Sequence, residues 1–395
     1  MAHGGRSPPN PPVYWTYNLR GIAMLRRNAT GRSLRFEGLE PRLTLNGNVA
    51  IKVAGNNVSI TGDALDNYIQ ITQVDGRFVV SGQNDTTLNG KADPVALPGG
   101  RRSLSFGMKE GADIVQIRDA AVGSLTASMG PGNSLFELLG VSVRGNLAFR
   151  GGKDGDTDTL DTIGVTISGN ASIRMDGSGH NSIQVRSTTV GGQVSVTTGP
   201  GDDEVSLFPH QDFNTQLGLK ARAVKIDTGA GNDVVGAWWL DIKNDFRIST
   251  GAGRDIVDVL FSKIGGATNI DAGPGVCPDL TFGDSETGSL KLATGDGDDG
   301  IYVSGSRVTR GGAILQTGGG HDTLEFWNSH VAGPTRFDLG EGNDLLDLNE
   351  GNVFYKKVSV FGGLGDDTGQ IRGYYRTDFR GGVRLSSLEH WSVLV

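Results

Sequence analysis

Six related strings of sequence decide the fold of this chain. They read T-G-A-G-N-D at 228–233, T-G-A-G-R-D at 250–255, T-G-D-G-D-D at 294–299, T-G-G-G-H-D at 317–322, L-G-E-G-N-D at 339–344 and G-G-L-G-D-D at 362–367. Neighbouring strings lie 22 or 23 residues apart, apart from one gap that holds a degenerate copy ending at Cys277. Repeats of this length are typical of stacked architectures, because one unit cannot bury a core without its neighbours. The sequence therefore predicts a solenoid.

Apolar residues recur at fixed positions within each repeat. One set lies two residues before the Thr-Gly pair, at Val196, Ile226, Ile248, Ile270, Leu292, Leu315, Phe337 and Val360. A second set lies two and four residues after the Asp, at Val235, Ala237, Val257, Val259, Ile301, Val303, Leu324, Phe326, Leu346 and Leu348. A third set is Ile242, Ile264, Val308, Val331 and Val353. Such alternation indicates half-buried strands, and three sets indicate three strands per coil.

We therefore predict an all-β fold, a parallel β-helix with about 22–23 residues and three short strands per coil. The general rule for parallel crossovers makes it right-handed. Equivalent side chains would stack about 4.8 Å apart along the coils. The pattern suggests 14 turns, which begin at Asp66 and include a weak copy near Asp93. A β-propeller is the alternative, but each blade would need two coils.

The chain divides into three predicted regions. Residues 1–42 are basic and proline-rich and predict a disordered segment, in which Met24 is a candidate for the true start. Residues 43–380 form the predicted β-helix. Residues 381–395 are amphipathic and are expected to cap the open end, which would otherwise invite edge pairing.

Composition excludes several classes of function. Lys and Arg number 36 against 44 Asp and Glu, and residues 1–42 are themselves positive, so the body is acidic and nucleic acid is not an expected partner. The single cysteine, Cys277, excludes an intrachain disulfide and a cysteine-based zinc site. No apolar run is long enough for a transmembrane segment. Glycine, at 63 of 395 residues, predicts many tight turns.

The glycine–aspartate turns are candidate metal sites. Glycines allow backbone carbonyls to turn toward one point, and carbonyl and carboxylate oxygens are the ligands that calcium prefers. Stacking places each carboxylate near the next one along the column. The predicted metal ligands are Asp203, Asp233, Asp255, Asp299, Asp322, Asp344 and Asp367, with Ca²⁺ as the candidate cofactor. The plainer interpretation is that each Asp accepts backbone N–H bonds within a tight turn.

These turns resemble the RTX-type calcium-binding repeats, G-G-x-G-x-D-x-Φ-x. The match is closest in G-G-G-H-D-T-L-E-F at 318–326 and G-E-G-N-D-L-L-D-L at 340–348. The resemblance implies a calcium-stabilised parallel β-helix. It departs from the family because the string occurs once per 22 residues instead of every nine. In addition, Asn181 and Cys277 interrupt the aspartates, and Arg254 adds a positive charge.

A second resemblance lies near the N-terminus. R-F-E-G-L-E-P-R-L-T-L at 35–45 is similar to the LEPR-x-LL-type segment of exported or cell-surface bacterial proteins, with Thr44 where a leucine is usual. The resemblance implies export, to the cell surface or beyond, without an ordinary signal peptide.

The sequence favours a structural or adhesive surface module over an enzyme. Asp-Asp pairs belong to the repeat itself, so they do not mark a glycosidase site, and no nucleophile set can be picked out. A polysaccharide-active β-helix enzyme is the alternative. Two aromatic pairs, Trp238-Trp239 and Tyr374-Tyr375, are candidates for contact with an extracellular glycan or a cell-surface component, because in a strand one member of each pair points outward. The alternative is that a turn buries both members of a pair.

Overall fold

The protein is a β-solenoid. The computed structural model describes residues 47–98, 102–153, 155–210, 217–372 and 377–394. These residues form strands and turns with no helix, and they wind into about 12 turns of mostly parallel strands. The predicted fold class is confirmed. The predicted disordered segment at 1–42, the motif at 35–45 and the pair Tyr374-Tyr375 lie outside the described residues.

A first ladder of fourteen parallel strands follows the aspartate position of each coil. Its strands are Tyr68–Val74, Ile114–Arg118, Leu135–Leu139, Thr159–Ile163, Ser182–Arg186, Glu204–Phe208, Val234–Trp238, Gly253–Leu260, Gly275–Gly283, Gly300–Ser304, Thr323–Trp327, Leu345–Leu348, Thr368–Arg372 and His390–Leu394.

A second ladder consists mostly of two- and three-residue strands. They are Ala121–Val122, Ser142–Val143, Thr166–Ile167, Thr188–Val190, Leu219–Ala221, Leu240–Ile242, Arg307–Val308, His330–Val331, Val353–Phe354 and Asp378–Phe379. Two longer strands, Lys263–Asp271 and Glu286–Ala293, take part in this ladder and continue into the third.

The third ladder precedes the glycine turn of each coil. Its remaining strands are Asn57–Thr61, Ser103–Gly107, Leu125–Ser128, Leu147–Arg150, Ala171–Met175, Gln193–Thr198, Ala223–Asp227, Phe246–Ser249, Ala313–Gln316, Thr335–Glu341, Val358–Leu364 and Val383–Ser386. Each coil therefore contributes three strands, as the sequence predicts.

Equivalent side chains lie in files along the ladders, and this register builds the core. Ile226 is the register partner of Ile248, and Ile248 is the partner of Ile270. The file continues without a shift through Leu292, Leu315, Phe337 and Val360. All of these side chains are buried. Parallel stacking therefore lets one narrow apolar interior run through successive coils.

One member of the third apolar set was predicted one residue too early. Val353 is only partly buried, and its register partner is the surface residue His330. Phe354 takes the inward position instead, where it is fully buried and pairs with Val331. The extra residue in this coil moves the inward position by one, which reverses the face of the strand.

The N-terminal end departs from the regular repeat, so the predicted count of 14 turns includes one copy, near Asp93, that is not a coil. The strand Asn48–Ala54 pairs antiparallel with the third ladder, and Arg77–Gln83 pairs antiparallel with the first. Val95–Ala96 adds a further antiparallel strand, and Thr87–Leu88 pairs parallel with Asn48–Ala54. The weak copy at Asp93 thus lies in this irregular region. Within the first coil Asn67 occupies the aspartate position, whereas Asp66 is exposed.

The C-terminal segment continues the ladders. Val383–Ser386 pairs in parallel with Val358–Leu364, and His390–Leu394 pairs in parallel with Thr368–Arg372. These strands form the last rung of the third and first ladders. Among the described residues, no helix has the length and hydropathy needed to span a membrane.

Candidate functional site

The seven predicted metal ligands lie in one buried column at the turn between the third and first ladders. Their side chains are between 0 and 4% exposed. In each, Oδ1 accepts the backbone N–H of the equivalent residue one coil earlier, at 2.6–3.0 Å. Asp233, for example, accepts from Asp203 and is itself the donor to Asp255. The aspartates therefore join successive coils at a place where the strand ladders are interrupted.

The second carboxylate oxygen, Oδ2, is the unusual feature of this column. It is buried without a hydrogen-bond partner in Asp113, Asp203, Asp255, Asp299, Asp322, Asp344 and Asp367. The Thr of the same turn lies beside several of these carboxylates. However, the hydroxyls of Thr198, Thr294 and Thr317 donate their one proton to a carbonyl of the next coil. A bound proton or a cation would satisfy the orphaned Oδ2, since a buried polar atom without a partner is destabilising.

Burial raises the pKa of the column carboxyls because removal of water disfavours their charged form. The pKa of Asp233, Asp299, Asp322 and Asp344 rises to about 6. The pKa of Asp113 rises to about 7. Burial also raises the pKa of Asp203, Asp255 and Asp367. A protonated Oδ2 can donate to the neighbouring Thr oxygen, which completes the hydrogen bonding of the turn.

The column offers calcium a limited set of ligands. Calcium takes 6–8 oxygens, and each aspartate has one oxygen already engaged by an N–H group. The part of the chain that the structure describes has no group of three or more His, Cys, Asp or Glu side chains placed to hold a metal ion. A cation between two coils would draw on one free Oδ2 from each, with threonine and backbone oxygens beside them. The aspartate column therefore fits a calcium ion only in part, because the stacked aspartates do not converge on one point.

The residues that interrupt the aspartates keep the same backbone role. Asn181 is buried and donates both its backbone N–H and its side-chain amide to Asp203 Oδ1. Cys277 is buried in the equivalent position and donates its N–H to Asp299. Burial raises the pKa of the Cys277 thiol to about 12. Arg254 is exposed and lies beside the column rather than in it.

Sequence reasoning missed a second column of side chains at the corner before the second ladder. The backbone N–H of Ser262 donates to Ser285 Oγ, that of Ser285 to Ser306, and that of Ser306 to Ser329. The N–H of Ser329 donates to Asn352 Oδ1. These residues recur every 21–23 positions along the chain. A search for recurring Ser would have found them.

The pair Trp238-Trp239 belongs to an aromatic cluster on the surface of the same corner. Trp238 ends its strand and is 38% exposed, and Phe261 is 44% exposed. Trp239 stacks on Phe261 with ring centroids 4.7 Å apart and planes 20° apart. We call Trp238, Trp239 and Phe261 the aromatic shelf. Neither tryptophan is tucked into the core.

The backbone of the aromatic shelf is strained. Trp239 and Phe261 have φ of 54° and 53°, in the left-handed region that bulky residues avoid. Small or turn-forming residues have positive φ at this corner in eight other coils: Asp119, Gly140, Gly164, Ser187, Asp284, Gly305, Asn328 and Gly351. Left-handed backbone costs a bulky residue about 1–2 kcal/mol. Such a departure from the local rule points to a site kept for a purpose other than stability.

Comparison with known proteins identifies no relative of this chain. No family model, no curated protein and no solved structure matches this chain.

Proposed function

We propose that this protein is an exported or cell-surface β-solenoid that acts as a structural and adhesive module. The observation that carries the adhesive part is the aromatic shelf, where Trp239 and Phe261 occupy strained corners and Trp238 and Phe261 are exposed. The resemblance of residues 35–45 to an export-type segment supports a location outside the cell. The long hydrogen-bonded ladders support the structural part.

An extracellular glycan or a cell-surface component is the proposed partner of the aromatic shelf. Exposed aromatic rings offer a rigid apolar face that can stack on the apolar face of a sugar ring, and clusters of this kind mark interaction sites. Because Trp239 and Phe261 lie on successive coils, their stack presents a continuous surface about two coils wide.

The test replaces the shelf with residues that neighbouring coils already use. We expect Trp239→Asn with Phe261→Asp to reduce glycan-array binding or cell attachment at least tenfold. The melting temperature should stay the same or rise, since Asn and Asp tolerate a left-handed backbone. Trp327→Ala is the matched control, because Trp327 is 51% exposed and lies outside the shelf. Full attachment by the double variant would refute the adhesive proposal.

Calcium stabilisation of the aspartate column is the remaining part of the proposal. Its support is the row of buried Oδ2 atoms without partners. A ligand that binds only the folded state stabilises that state by mass action. We expect calcium to raise the melting temperature of EGTA-treated protein by several degrees, with magnesium as the matched control ion. An equal melting temperature in EGTA and in excess calcium would contradict this part and leave the proton as the occupant of the column.

A further inference from the structure

The outer face of the third ladder carries a groove whose charge is opposite to that of the protein as a whole. The groove has a volume of about 640 Å³ and crosses six coils, from Arg247 to Phe361. Its lining includes Arg247, Lys291, Arg336 and Lys357, and its described lining residues include no carboxylate. We call this surface the basic groove. The chain has a formal net charge of −8, so a local concentration of cations requires an explanation.

Three of the four cations of the basic groove, Arg247, Lys291 and Arg336, are regularly spaced, whereas Lys357 lies just before the strand Val358–Leu364. Register pairing places the following outward residues in one file: Lys225, Arg247, Asn269, Lys291, Ile314, Arg336, Ser359 and Arg384. From Arg247 onward, every second coil holds a Lys or Arg. Two coils rise about 9.6 Å, since parallel strands lie about 4.8 Å apart. The same position in earlier coils holds Ser105, Thr126, Ala148, Ser172 and Ser195.

The cationic groups are accessible to a ligand. Lys291 and Arg384 are exposed, and neither forms an ion pair with another described residue. Arg247 pairs with Asp245 at 3.2 Å and Arg336 pairs with Asp338 at 2.6 Å, where the arginine side chains are 61% and 46% exposed. Exposed ion pairs of this kind contribute about 0–1 kcal/mol, so an anionic ligand can compete for them.

Apolar groups lie between the cations. Ile314 is 41% exposed between Lys291 and Arg336 in the file. The guanidinium of Arg336 lies 4.1 Å from the centroid of the Phe361 ring, which holds it in place through a cation–π contact. The groove thus alternates charge with apolar surface, a pattern that suits a ligand with charged groups separated by apolar ring faces.

We propose that the basic groove binds a linear anionic polysaccharide that carries one carboxylate per disaccharide. Cations about 9.6 Å apart match such a repeat. Each strand of a DNA duplex carries a phosphate about every 3.4 Å along the helix axis, which is much denser than the cations of the groove. An extended peptide presents side chains on one face about every 6.6–6.8 Å, which also misses this spacing. Six coils span about 24 Å, enough for two to three disaccharide repeats.

The basic groove is independent of the aromatic shelf. It lies on the third ladder, whereas the shelf lies at the corner that follows the first. The two proposals can therefore fail separately.

The test is titration calorimetry with hyaluronan oligosaccharides, which have one carboxylate per disaccharide, in buffer with EGTA. We expect binding that weakens as salt is raised. Lys291→Ala with Arg336→Ala should weaken it at least tenfold. Lys220→Ala with Lys263→Ala is the matched control, because it removes two exposed lysines from the second ladder. Trp239→Asn with Phe261→Asp should bind hyaluronan as the parent protein does.

Three further probes test the identity of the ligand. Neutral dextran should not bind, and polyglutamate and single-stranded DNA should bind at least tenfold more weakly than hyaluronan. Equal binding of polyglutamate or DNA would overturn the polysaccharide assignment. Absence of hyaluronan binding, or binding that the Lys291/Arg336 double variant leaves intact, would overturn the site itself. Melting curves of all variants show whether a loss of binding reflects loss of the fold.

Discussion

In each glycine turn of the column, a single aspartate side chain links its coil to the preceding coil. Its Oδ1 accepts a backbone N–H from the preceding coil, and its Oδ2 lies buried without a partner in most coils. The sequence could predict that these side chains stack, because the repeat places them at a constant interval. It could not predict that they point into the protein, because a turn carboxylate is more often exposed.

Stability should rise as pH falls from 8 to 5 in buffer with EGTA. Burial raises the pKa of Asp233, Asp299 and Asp322 to about 6, above the unfolded value of about 3.9. The folded state therefore binds protons more tightly, so this stabilisation is complete below about pH 4 and is lost as pH rises through about 6. One such carboxyl corresponds to about 2–3 kcal/mol.

Urea denaturation at pH 5, 6, 7 and 8 measures this effect. The free energy of unfolding should decrease from pH 5 to pH 7 and change little between pH 7 and pH 8, because these carboxyls have a pKa of about 6. A constant value, or a value that increases with pH, would show that these carboxyls are charged in the folded protein.

Substitution of Asp322 separates its acceptor role from its charge. Asp322→Asn keeps a side-chain oxygen as acceptor for the N–H of Asp299. Asn67 and Asn181 already hold the equivalent position and donate their backbone N–H to the next Asp. We expect it to be neutral or stabilising at pH 7.5 because it needs no proton. Asp322→Ala leaves that N–H buried without an acceptor, which costs about 1–3 kcal/mol. Equal losses in both variants by urea denaturation would contradict the hydrogen-bond role.

Close contact between successive coils limits which residues a turn tolerates, as Gly340 shows. Gly340 has φ of 91°, and a Cβ atom there would collide with the carbonyl oxygen of Gly318 in the preceding coil. We expect Gly340→Ala to destabilise the protein by about 2–4 kcal/mol through strain and displacement of that coil.

Gly236 provides the matched control for Gly340. It lies within the strand Val234–Trp238, and a Cβ atom there would meet no atom within 4 Å. Gly236→Ala should leave the melting temperature unchanged or raise it slightly, because it restricts the unfolded chain. A similar loss in both variants would mean that close coil contact is not what requires glycine at 340.

The sequence predicts strands best where the repeat is regular. All ten inward positions predicted for the first ladder, from Val235 to Leu348, are buried. The prediction shifts by one residue at Val353, where the coil has an added residue and Phe354 points inward. It fails at Asp93, because the antiparallel strands of that region have no periodic signature in the chain.

Across the full chain, translational repetition explains why the architecture was predictable and its surfaces were not. A core file such as the one that contains Ile226 and Ile248 has one apolar residue in every coil, so a period of 22–23 residues reveals it. The basic groove depends on residues such as Lys291 and Arg336 that alternate every second coil, and the aromatic shelf depends on two coils only. Features that do not recur once per coil escape a search for the period.

Distances between spin labels on one outward file measure the stacking of coils most directly. In a Cys277→Ala background, cysteines would replace Ser105 and either Asn269 or Ser359 for pulsed dipolar spectroscopy. The register places these residues seven and eleven coils from Ser105. At about 4.8 Å per coil, we expect backbone separations of about 34 and 53 Å. Distances that do not increase by about 19 Å between the two pairs would contradict a single column of stacked coils.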